Sequence, residues 1–170
     1  MFRLIFVLAL LVSSLTLNGC REVKSDDYFA LSGKVFIFNY RIATATYVIT
    51  LDKLRPLPDA SIAIANFENP AGGAALKVEE KIWPKMERLS FESPPLSCVV
   101  KDRSYSFSIQ IVSGEGKILQ EISSTLTSTL DQTVLPDRPL VIGQGYEANP
   151  EIAGHPDGKL PLLNNIHCPR

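Results

Sequence analysis

Apolar residues recur along this chain at the period of β-strands. The plainest case is Ser104 to Val112. Tyr105, Phe107, Ile109 and Ile111 share one face, and Ser104, Ser106, Ser108 and Gln110 share the other. Such alternation belongs to a strand with one buried face and one face in water. Ser113-Gly114-Glu115-Gly116 supplies a turn, so Lys117 to Ser123 is expected to return as the antiparallel partner. Earlier in the chain, Thr46 to Leu51 separates Tyr47, Ile49 and Leu51 from Thr46, Val48 and Thr50. Met86 to Glu92 turns Leu89 and Phe91 inward, and Ser61 to Phe67 points Ile62 and Ile64 one way. Gly33 to Tyr40 has apolar residues at consecutive positions, which predicts a strand covered on both faces or at a corner between sheets.

The breaks between these runs are set by proline and glycine. Leu54 to Asp59 holds Pro56 and Pro58, which lack backbone donors, so this segment is a turn or crossover. Asn69 to Gly73 is a loop by composition, and Ser93-Pro94-Pro95 ends the strand before it. Ala74 to Lys81 carries good helix formers, but Leu76 and Val78 alternate with Lys77 and Glu79, and a strand is expected. Ser124 to Gln132 is compatible with strand. Leu140 to Gly145 is expected as the last strand, with an irregular tail from Glu147 on.

No helix-strand alternation or internal repeat is evident, which argues against a parallel α/β sheet. The expected fold class is all-β, an antiparallel β-sandwich or small barrel of about seven to nine short strands. The expected divisions are a leader over 1–19, a tether over 20–30, the β-domain over 31–146 and the tail over 147–170.

The leader and tether follow from the N-terminus. Leu4 to Leu17 is apolar apart from Ser13, Ser14 and Thr16. It is shorter than the roughly 20 residues a helix needs to span a bilayer, and it fits the apolar core of a signal peptide. The run closes on Leu17-Asn18-Gly19-Cys20, which looks like a bacterial lipobox, although Asn18 departs from the usual small residue. Processing before Cys20 would put acyl chains (palmitate among them) on that cysteine, and two or more chains hold a protein firmly to a membrane. Arg21 in place of aspartate favours the outer membrane under enteric-type sorting. The expected location is the periplasmic face of the outer membrane. Arg21 to Ala30 is polar and reads as a flexible tether.

Charge and cysteine content narrow the classes further. The chain has 17 basic and 18 acidic residues with no block of one sign, so no basic face for nucleic acid is expected. With Cys20 lipidated, Cys98 and Cys168 remain as a pair in an oxidising compartment, and a disulfide between them is expected; two free thiols are the alternative.

The order of these elements resembles a known family. Gly33-Lys34-Val35 precedes Leu57-Pro58-Asp59-Ala60-Ser61-Ile62-Ala63-Ile64. Phe91-Glu92-Ser93-Pro94 follows, then the alternating strand from Tyr105 to Ile111, Gly116, the return strand Lys117 to Ile122, and Val134-Leu135-Pro136. Together with the lipobox, this order resembles the YbaY/YscW-type lipoprotein family over about two thirds of the processed chain. Residues 41–55 and the tail after Tyr146 depart from that pattern. The resemblance implies a lipid-anchored sandwich acting as a binding protein. The family includes type III secretion pilotins, chaperones that bind the C-terminal segment of a secretin and take it to the outer membrane. It also includes general envelope lipoproteins, so a structural or stress role without a secretin partner is the alternative.

A binding protein needs an apolar groove or an open sheet edge for its partner. Trp83, Met86 and Phe91 are the candidate partner-binding residues, with Phe36 and Phe38 near them in the pattern; a plain core role is the alternative for each. Catalysis is not expected: Glu79 and Glu80 face opposite sides of a strand, and no nucleophile-base pair or phosphate loop is evident. His155 and His167 lie in the tail, His167 beside Cys168, without a ligand spacing that would fix a metal. No cofactor is expected. Tyr28, Tyr40 and Trp83 are too scattered to form a carbohydrate platform.

Overall fold

Among the described residues, nine strands run in chain order as β1 (Phe29–Asn39), β2 (Thr44–Lys53), β3 (Ile62–Phe67), β4 (Leu76–Lys81), β5 (Arg88–Glu92), β6 (Ser104–Val112), β7 (Ile118–Thr127), β8 (Val141–Ile142) and β9 (Glu147–Ala148). They belong to a computed structural model that describes residues 26–160 and 168. The leader, Cys20 and His167 lie outside the described residues. Among the described residues no helix is long and apolar enough to cross a membrane.

Two sheets face each other. One has the order β1-β2-β5 and the other β4-β3-β6-β7, with β8 and β9 as a small separate hairpin. All pairings are antiparallel. The hairpins β1–β2, β3–β4 and β6–β7 each stay within one sheet. The proline segment after β2 carries the chain across to β3, as its missing donors require. β1 and β7 are both edges and do not pair with each other, so the architecture is a sandwich and not a closed barrel.

The core lies between the sheets. β2 and β5 turn in Tyr47, Ile49, Leu51, Leu89 and Phe91; β6 and β7 turn in Tyr105, Phe107, Ile109, Ile111, Ile122 and Leu126. β3 adds Ala63, Ala65 and Phe67, with Ile62 and Ile64 on its outer side. Tyr47 stacks on Phe67 at 5.2 Å between ring centroids and meets Tyr105 edge-on at 6.3 Å. Its hydroxyl donates to the Glu68 carbonyl at 3.0 Å and the Tyr105 hydroxyl accepts from the Val100 N–H at 2.8 Å, so both polar tips of this cluster are bonded. At the β6–β7 turn, Gly116 takes a φ of 82°, the left-handed region that glycine enters without steric cost. Cys98 and Cys168 are joined by a disulfide, Cα to Cα 5.3 Å, tying the tail to the body.

Four expectations change here. β1 is not covered on both faces. It is an edge strand whose inner residues Phe36 and Phe38 are half-buried while Val35 and Ile37 are 48% and 45% exposed. Only one side of an edge strand meets the opposite sheet, and consecutive apolar residues cannot reveal that. Phe91 is fully buried between the sheets and cannot be a contact residue for a partner. The domain begins before residue 31: Phe29 and Ala30 are already in β1, and the Tyr28 carbonyl accepts from the Leu54 N–H. The tail from 147 is partly ordered into β9 and a 3-10 turn over Pro150–Ile152, capped by the Asn149 side chain. The helix-forming segment before Lys81 is a strand, and Glu79 and Glu80 do take opposite faces of it.

Candidate functional site

The open edge of β1 is the feature that a binding protein would use. The directions of its backbone groups follow from its neighbour. Ser93 N–H donates to the Tyr47 carbonyl and Leu96 N–H to the Ala45 carbonyl, so odd-numbered residues of β2 bond away from β1. Thr46 and Val48 therefore bond toward β1, opposite Ile37 and Val35. In an antiparallel ladder both backbone groups of a residue point the same way and alternate along the strand. Those of Lys34, Phe36 and Phe38 consequently point out of the sheet edge, where β1 has no strand partner among the described residues.

Natural edges are blunted by bulges, charges or proline. β1 has a bulge between Leu31 and Gly33, and the Lys34 ammonium reaches across to the Ser124 hydroxyl at 2.9 Å and the Thr125 carbonyl at 2.7 Å. At Phe29 the edge is closed by the side chain of Gln120. From Val35 to Asn39 there is no charge and no proline. This half of the edge is open, with Val35 and Ile37 exposed beside it. The sequence held one signal for it, the uncharged run itself, but gave no sign of which strand would be outermost.

Trp83 and Met86 stand elsewhere, in the turn between β4 and β5. Trp83 is 56% exposed, with the Lys81 ammonium 4.5 Å from its ring centre. Met86 is half-buried, and its N–H donates to the Trp83 carbonyl at 3.0 Å. The hollow under Trp83, lined also by Lys53, Leu57 and Ile82, holds only about 30 Å³ and cannot seat a side chain of a partner. The structure keeps Trp83 and Met86 together and places Phe91 apart from them in the core.

Larger concavities lie elsewhere among the described residues, and two of them carry polar side chains in number. One of about 860 Å³ lies on the outer face of the four-stranded sheet and presents Asn66, Ser108, Ser123 and Thr125. At its end the Glu68 carboxylate accepts from the Ser106 N–H at 2.9 Å, the Ser106 hydroxyl at 3.1 Å and Arg103 at 3.1 Å. These donors, the Ser106 N–H first, hold its pKa below the ordinary carboxyl value against the effect of burial. The other, of about 770 Å³, lies beside the disulfide and includes Val99, Leu135, Asp137, His155 and Lys159. The Lys159 ammonium is taken up by the Thr133 and Leu135 carbonyls, with Asp137 at 3.8 Å. Among the described residues no group of three or more His, Cys, Asp and Glu side chains could hold a metal ion.

The chain matches no protein-family model and no curated protein.

Proposed function

We propose that this protein is a lipid-anchored envelope binding protein, a pilotin-like chaperone that captures a segment of an outer-membrane secretin of a type III secretion system. The observation that carries the reading is the open half of β1, uncharged from Val35 to Asn39 with two exposed aliphatic side chains beside it. Unpaired backbone groups on a sheet edge accept a partner segment by strand addition, and alternate side chains set its selectivity. The lipobox before Cys20 supplies the second half of the reading. Lipid delivers the complex to the membrane and the β-domain holds the cargo, so the two tasks reside in separate parts of the chain.

The test is affinity capture from detergent-solubilised envelopes with the acylated full chain as bait, followed by mass spectrometry. A secretin recovered at near-stoichiometric yield, and lost with Ile37→Lys, supports the reading. Recovery of porins and other abundant lipoproteins alone, from cells that express the secretin, rejects it in favour of a general envelope lipoprotein.

A further inference from the structure

The antiparallel order gathers one set of strand ends at one end of the sandwich. Register pairs Phe29 with Lys53, Ile62 with Lys81 and Val112, and Val112 with Ile118. The loops there are bonded to one another: Leu54 N–H to the Tyr28 carbonyl, Ile82 N–H to the Ser61 carbonyl, and Lys53 Nζ to the Pro84 carbonyl. This end exposes three large apolar side chains, Leu54, Trp83 and Ile118, at 47%, 56% and 53%. The β1–β2 turn and the disulfide lie at the other end.

The N-terminal segment leaves from this same end. Arg55 bonds the Asp26 carbonyl and lies over the Tyr28 ring at 3.9 Å, which fixes the point of departure beside Leu54. Six peptide steps separate Asp26 from Cys20 and reach at most about 20 Å fully extended. A lipid on Cys20 would therefore hold the point of departure at this end within about 20 Å of the bilayer.

We propose that this end is a membrane-docking face, with Trp83 and Leu54 seated among zwitterionic lipid headgroups beside the acyl chains of Cys20. The inference rests on the reading of Cys20 as lipidated. Tryptophan favours the headgroup region because one edge of its ring is apolar and the other carries an N–H donor. Lys81, held over the Trp83 ring, can extend its ammonium to a phosphate while its stem stays on apolar surface. Lys53, Arg55, Lys85 and Lys117 on this end are interspersed with Asp26, Asp59, Glu87 and Glu115. The face is close to neutral, so the attraction is interfacial and does not call for anionic lipid. Docking would hold the domain in one orientation and leave the far end and the open half of β1 to a partner.

Trp83 is the only tryptophan in the chain, so its emission reports on this face alone. The acylated full chain is reconstituted into vesicles of phosphatidylcholine and phosphatidylethanolamine, with and without bromine near the top of the acyl chains. The expected result is a blue-shifted emission, quenched about twofold by the brominated lipid and insensitive to added salt. Leu54→Asp should reduce the quenching while the protein stays on the vesicles. Emission at the water-exposed position, with iodide quenching as complete as in Cys20→Ser, overturns the proposal. Intact mass of the same sample reads acylation separately. An acylated protein with a wet Trp83 removes the docking face alone; an unacylated Cys20 removes the premise and the proposal with it.

Discussion

The carboxamide of Gln120 takes both backbone bonding groups of Phe29. Its Oε1 accepts from the Phe29 N–H at 2.9 Å and the Tyr28 N–H at 2.8 Å, and its Nε2 donates to the Phe29 carbonyl at 2.8 Å. A side chain of β7 thus stands in for a peptide group at the edge of β1 and joins the two sheets without closing a barrel. Gln120 and Phe29 are both buried, so the bonded groups have no water to fall back on. Gln120→Leu should cost about 2–4 kcal/mol in urea unfolding, because it strands two buried backbone groups. Gln120→Glu keeps the acceptor but sets a carboxylate oxygen against the Phe29 carbonyl at a buried position, so it should cost at least as much at neutral pH and less in mild acid, where the protonated carboxyl can donate.

Phe91 and Ile37 separate core from surface. Phe91→Ala should cost about 3–5 kcal/mol of stability by opening a cavity between the sheets. Ile37→Lys, on an exposed position, should change stability by no more than about 0.5 kcal/mol and yet abolish secretin capture. Measuring both variants by denaturation and by pull-down checks the assignment; a capture defect in folded Phe91→Ala at low temperature would contradict it.

The disulfide between Cys98 and Cys168 closes a loop with a sequence separation of 70. Reduction should lower stability by up to about 4 kcal/mol in the chain-entropy account. The expected observation is a lower urea midpoint with reductant, and no effect of reductant in Cys98→Ala/Cys168→Ala.

Acid should weaken the fold through Glu68. Its pKa in the folded chain is depressed below 4.5 by the Ser106 and Arg103 donors. A depressed carboxyl pKa contributes stability that is fully present above the unfolded value and is lost as pH falls through the folded one. Stability should therefore begin to decline as pH falls to about 4.5 and go on declining down to the folded value, and Glu68→Gln should flatten the decline. Asp131, held low by the Thr133 N–H, shares the same direction and should preserve part of the slope in that variant. Tyr47 acts at the other extreme. Burial first, then the Glu68 charge, raises its pKa above 10.0, so the fold should also lose stability at strongly alkaline pH.

Cys20→Ser should leave capture of the partner intact and misplace the partner in the cell. Fractionation read beside pull-down checks this. Loss of capture in that variant would show that lipid and domain are not separable.

Much of the sandwich could be read from local pattern. A side chain alternates faces by covalent geometry, so Tyr105 to Ile111 and Tyr47 to Leu51 identified their inner faces with no knowledge of neighbours. Pro56 and Pro58 located the crossover because a residue without an N–H cannot continue a ladder. With Cys20 set aside, Cys98 and Cys168 could be read as a disulfide or as two free thiols, and the structure shows the disulfide. The same local reading assigned Phe91 to an inner face and also to a binding surface, and only packing between the sheets separates those roles.

What the sequence determined by itself, then, was the positions of the main strands, the inner faces of those that alternate, and the turns, all consequences of neighbouring residues or of residue type. Tertiary structure alone decided that β1 is an edge, that Gln120 satisfies Phe29 across 91 residues, and that Trp83 lies at the end where the N-terminal segment departs. Each of these depends on which strands lie side by side. Strand order is set by long-range pairing and sheet-to-sheet packing, which an alternating pattern permits in many arrangements.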